Sequence, residues 1–198
     1  MYPMGAPGAA LVVVLVAAAA VGAVRLIAGR RIDTVWTTRE ADAAHLVMNL
    51  AMAVMFTSLW GSTARSWVLA VVVAGMLGIG VALARPPAGP GRRAGLTNHL
   101  IAFAAMGLAV LVGHSPGHDH GHDGAPGGAV SVVVVLLAAW FAVDLVATVV
   151  VAVVGPPARL FPAGLAPPAG RDRTALRVAS FPHAVMAAAM TAMLLAVL

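Results

Sequence analysis

Six long apolar stretches set the fold of this chain. They run roughly over residues 9–26, 41–59, 67–84, 99–113, 129–154 and 178–198, with short polar connections. A bilayer core needs about 20 apolar residues per helix. Together the six stretches take up more than half of the 198 residues. Charged residues make up 10% of the chain, whereas soluble domains carry about 25%, so a soluble globular protein is excluded. The expected fold is an all-α integral membrane protein. It is a six-helix transmembrane bundle, a single domain over residues 1–198.

Charge sets the expected orientation. All twelve basic residues are arginine. Arg25, Arg30, Arg31 and Arg39 lie in or beside the first connection, Arg85, Arg92 and Arg93 the third, and Arg159, Arg171, Arg173 and Arg177 the fifth. Arg65 alone falls on the other side. By the positive-inside rule the arginine-rich face is cytoplasmic and both termini are extracytoplasmic, with the plasma membrane as the expected location. The first stretch has its arginines after the apolar run, the reverse of a cleavable signal. Thr37 and Glu40 have capping-box spacing at the second helix. Gly75, Gly78 and Gly80 point to close helix packing in the third.

An internal repeat carries the chemistry. The second helix reads His45, Met48, Met52, Met55; the sixth reads His183, Met186, Met190, Met193. Both fit H-x2-M-x3-M-x2-M. The fourth keeps His99 and Met106, with Ala102 and Ala109 in place of the other methionines. Three helix hairpins in tandem explain the spacing, and parallel repeats of this kind are known in transporters. At about 100° per residue, offsets of 3, 7 and 10 keep each set within roughly 80° of its histidine. Each histidine comes early in its helix, so the three imidazoles are expected at one depth. Thioether and imidazole together favour a soft cation, with Cu(I) the first candidate. The competing explanation is packing, because methionine fills helix interfaces well.

Asn49 lies about 40° from His45 on the helix wheel and could orient an imidazole by hydrogen bonding, or simply tie two helices together. Asp144 is the acid placed well inside an apolar stretch. It could serve as partner to a ligand, as proton acceptor or as counter-ion, or make a structural hydrogen bond. Between the fourth and fifth helices, residues 114–128 form a histidine-rich loop, expected outside. His114, His118, Asp119, His120, His122 and Asp123 there could capture Cu(II), Zn or Ni.

The absences narrow the function. There are no cysteines, so thiolate sites and disulfides are excluded. No phosphate-binding P-loop, HExxH or G-x-S-x-G motif appears. Enzyme activity and nucleic-acid binding are not expected. The chain resembles small, arginine- and alanine-rich multi-pass membrane proteins of actinobacteria, grouped as a domain family of unknown function. The resemblance covers most of the chain and rests on the H-x2-M-x3-M helices and the helix count; it implies no activity.

The leading expectation is a Cu(I)-binding membrane protein that takes up, holds or hands on copper without ATP. One alternative is a b-type haem protein clamped by two histidines. The other is a scaffold subunit that packs its stripes against a membrane-protein partner or a second copy of itself.

Overall fold

The computed structural model describes residues 6–28, 38–57, 59–85, 90–112, 128–155 and 173–198. They form six helices: α1 (Ala6–Ala28), α2 (Arg39–Met55), α3 (Ser62–Ala84), α4 (Pro90–Val112), α5 (Gly128–Val154) and α6 (Arg173–Leu195). No strand occurs among the described residues.

Five of the six helices, all but α2, are long and apolar enough to cross a membrane. The expected sixth, α2 at 41–59, forms as a helix but is shorter than the other five. The helix has 17 residues and ends at Met55, with Phe56 capping it. At 1.5 Å per residue it is about 25 Å long, short of a hydrocarbon core of about 30 Å. Its first turn also holds Glu40 and Asp42. These acids are paired: Arg25 Nε lies 3.1 Å from Asp42 Oδ1, and Arg92 Nη2 lies 2.8 Å from Glu40 Oε1. A helix enclosed by neighbours and paired in this way does not need a uniformly apolar surface.

The start of α2 also differs from expectation. Thr38, not Thr37, is the N-cap, and its hydroxyl accepts from the Ala41 amide. Thr37 lies outside the described residues. The fourth helix begins at Pro90, well before the expected 99. Proline fits the first turn of a helix, where its missing N–H costs nothing.

Sequential helices pack most extensively, α1 on α2, α3 on α4 and α5 on α6. The even-numbered helices α2, α4 and α6 also contact one another. They form the inside of the bundle, and α1, α3 and α5 form its outside. In the apolar windows of α1, α3 and α5, 22% of residues are buried, against 56% in α4 and α6. Val73, Leu77, Val143 and Val146 are among the exposed apolar side chains on the outer helices, as lipid-facing helices require. α1 also leans on α6 and α3 on α2, whereas α5 has no comparable packing on α4.

One of the three glycines in α3 has the expected role. A Cβ at Gly75 would stand 2.5 Å from the Phe103 ring, so its absence lets α3 approach α4. Gly78 and Gly80 have open space beside them.

Candidate metal centre

Each inner helix contributes one histidine to a single buried cluster: His45 from α2, His99 from α4 and His183 from α6. Their exposures are 1%, 1% and 0%. His45 Nε2 lies 2.9 Å from His183 Nδ1 and 3.1 Å from His99 Nε2. One nitrogen from each ring lies within 4.8 Å of the other two. The ring centroids are 4.7, 5.1 and 6.2 Å apart.

The outer nitrogens decide which atoms face inward as acceptors. His99 Nδ1 lies 2.7 Å from the Gly95 carbonyl oxygen. A carbonyl only accepts, so Nδ1 carries the proton, and a neutral ring then has a lone pair on Nε2. His183 Nε2 lies 2.9 Å from Asp144 Oδ2. The contact is not aligned as a hydrogen bond, but a carboxylate attracts an N–H and repels a lone pair, which leaves the lone pair of His183 on Nδ1. Two lone pairs therefore converge on His45 Nε2, which carries one proton at most. One N–H cannot donate well to both. If the proton moves to His45 Nδ1, three lone pairs face one another. His45 Nδ1 itself has no hydrogen-bond partner among the described residues. The cluster has more acceptors than protons, and a cation between the rings would satisfy all of them.

The match to a family described as a domain of unknown function, DUF5134, covers residues 37–197. The chain belongs to this family. No curated protein and no solved structure matches it. Within this DUF5134 chain the matched region contains all three clustered histidines.

Asp144 is held from a second side. Asn98 Nδ2 donates to the same Oδ2 at 3.3 Å, and Trp140 Nε1 donates to Asn98 Oδ1 at 3.0 Å. Asn49 does not reach an imidazole by hydrogen bond. Its Nδ2 donates to the Pro182 carbonyl at 3.3 Å, tying α2 to α6 beside His183. Its Oδ1 has no partner among the described residues. Pro182 has no N–H and interrupts the hydrogen-bond ladder of α6 one residue before the histidine.

The methionines are buried in the same core. Met48, Met52, Met106, Met186 and Met190 are fully enclosed, Met193 is buried and Met55 partly so. Met48 and Met186 each follow their histidine by three residues, one turn further along α2 and α6. The candidates of the 114–128 loop (His114, His118, Asp119, His120, His122 and Asp123) lie outside the described residues.

Sequence reasoning placed each histidine early in its helix. With α4 starting at Pro90 and α6 at Arg173, His99 and His183 sit mid-helix. It also missed Asn98, Trp140 and the Gly95 carbonyl. Asn98 is a polar residue beside His99, at the start of an apolar run. Trp140 lies deep in α5 rather than at an end, where tryptophans favour the membrane interface. Both were visible as oddities of position.

Proposed function

We propose that this DUF5134 protein binds a transition-metal ion inside the membrane, Cu(I) first, and takes it up, holds it or hands it on without ATP. The observation that supports this best is the convergence of three histidine nitrogens that lack the protons to satisfy one another. Metal–imidazole bonds of about 2.0–2.1 Å give nitrogen–nitrogen edges of about 3.3 Å in a tetrahedral site. The two contacts of 2.9 and 3.1 Å are close to that edge. Loading the site would ask for small ring movements rather than refolding.

Imidazole suits Zn, Cu, Fe and Ni. Copper is favoured by the methionines that follow on the same helix faces, since thioethers select Cu(I). His45, His99 and His183 are the proposed primary ligands. Met48 and Met186 are the nearest thioethers along the chain, with Met52, Met55, Met106, Met190 and Met193 a path beyond them. The haem alternative loses support. Axial histidines on one iron are about 4 Å apart, twice a metal–imidazole bond, and a third imidazole occupies the space a macrocycle needs. The proposed setting is a plasma membrane, with the three helix pairs as tandem hairpins, α2 as a short crossing enclosed by its neighbours, and both termini outside.

The test is Cu(I) titration of the full chain in detergent, under reducing conditions, with metal analysis and an absorption spectrum. The loop residues His114, His118, His120 and His122 are replaced by serine to silence that region. Near-stoichiometric copper is expected, falling to background in the His45→Ala/His183→Ala double variant. Unchanged stoichiometry in the double variant would overturn the assignment. A Soret band in the protein as purified would restore the haem alternative.

A further inference from the structure

A four-residue chain of hydrogen-bonding groups reaches the histidine cluster from the outside of the bundle, and it can be followed in one direction only. It begins at Trp140 on α5. Half of this residue is exposed on the lipid-facing side, yet its indole N–H points to Asn98 Oδ1 at 3.0 Å. An indole N–H donates and never accepts. The Asn98 amide therefore presents its oxygen to Trp140, and its NH2 group must face the other way. There it meets Asp144 Oδ2 at 3.3 Å. A flipped amide would set N–H against N–H at one end and oxygen against oxygen at the other. As a carboxylate, Asp144 accepts from the amide at Oδ2 and offers no proton. His183 Nε2 is 2.9 Å from the same oxygen; the contact is not aligned as a hydrogen bond, but a carboxylate at this distance favours an N–H over a lone pair, which places the lone pair on Nδ1. That is the atom 2.9 Å from His45 Nε2.

We propose that Trp140 and Asn98 are positioning residues, which act through Asp144 to hold His183 in the tautomer whose Nδ1 lone pair faces the three-histidine cluster. The seam where this happens is telling. α5 packs on α6 and lacks comparable packing on α4, so the polar chain from Trp140 through Asn98 supplies the tie across it. Hydrocarbon offers no water to an indole N–H or an amide, so each group keeps its protein partner. The tautomer does not depend on a metal. Its consequence for affinity rests on the metal reading above, because hydrogen-bonded partners of a ligating histidine fix its orientation and raise its basicity.

The experiment is nitrogen-15 NMR of the full chain in detergent, metal-free, with labelled histidine; a His183→Asn variant assigns the His183 signals. In the wild type a single protonated nitrogen at Nε2 is expected for His183. Trp140→Phe keeps an aromatic ring and removes the N–H; Asn98→Ala removes the amide. Both are expected to convert His183 to a mixture of tautomers. Trp67→Phe, an exposed indole on α3 outside this chain of contacts, should leave the signals unchanged. Cu(I) affinity should fall about 10-fold or more in the first two variants, the usual range for losing a ligand's outer partner. A His183 protonated at Nδ1 in the wild type would overturn the proposal, as would an unchanged tautomer in both variants. A tautomer that shifts as expected in a protein that takes up no copper would uphold the positioning role and reject the metal reading.

Discussion

At the scale of single residues, the shortage of protons at the cluster has a thermodynamic consequence. A ligand that binds the folded protein and not the unfolded chain stabilises it by about 2.7 kcal/mol at a hundred times its Kd. Adding Cu(I) should raise the melting temperature of the wild type and leave His45→Ala unmoved. A matching rise in His45→Ala would mean that copper binds elsewhere. The Glu40–Arg92 pair gives a second expectation. The Arg92 guanidinium holds the Glu40 carboxyl below its usual value. A lowered carboxyl contributes stability above the ordinary glutamate range and loses it as pH falls through the folded value. The pair is partly exposed, so its contribution is about 0.5 kcal/mol. Glu40→Gln should melt slightly below wild type at pH 7, and the two curves should converge as pH falls through the lowered folded value. A gap that persists in acid would assign the loss to something other than the ion pair.

At the scale of helices, the contrast between two glycines in α3 can be read directly. Gly75→Ala would push a Cβ to 2.5 Å from the Phe103 ring. Overpacking of this kind costs about 1–3 kcal/mol. Gly78→Ala meets nothing within 4 Å and should be neutral or gain up to about 1 kcal/mol from helix propensity. Phe103→Leu should recover part of the Gly75→Ala loss. Thermal melts of the four proteins check this, and equal effects at Gly75 and Gly78 would contradict the close approach of α3 and α4. The same scale shows what the sequence could reveal. His45, His99 and His183 were legible because a helical period converts spacing into a face, and the H-x2-M-x3-M motif of α2 and α6, with the His99 and Met106 that α4 keeps, marks three corresponding faces. The nine residues from Pro90 to Asn98 were not legible as helix. Their glycine, proline and arginines look like a connector, although proline in a first turn is a helix start. The second helix reads as a full-length span because its composition is apolar after Asp42. Its length is set by Phe56 and the turn that follows, which no periodicity announces. The bonds of Asn98 and Trp140 are contacts between helices far apart in sequence, and a single-helix pattern carries no trace of them.

At the scale of the whole molecule, the inner trio of helices explains why a short, charged-ended α2 is tolerated. Its buried acid Asp42 is matched by Arg25 of α1, and its histidine completes a cluster that α4 and α6 alone would leave with two rings. Burying an ion pair is expensive, and removing one partner of such a pair costs about 3–5 kcal/mol. Arg25→Ala should therefore destabilise the bundle far more than Arg92→Ala, whose pair is more exposed. If the bundle sits with its arginine-rich connections inside, orientation follows as well. The chain has no cysteine, so single cysteines report without background. Ser115→Cys, in the loop between α4 and α5, should react in intact cells with a thiol reagent that cannot cross membranes. Ala88→Cys, between α3 and α4, should react after the membrane is opened. The reverse pattern would invert the bundle, placing the histidine-rich loop in the cytoplasm and turning the route from loop to cluster from capture into release.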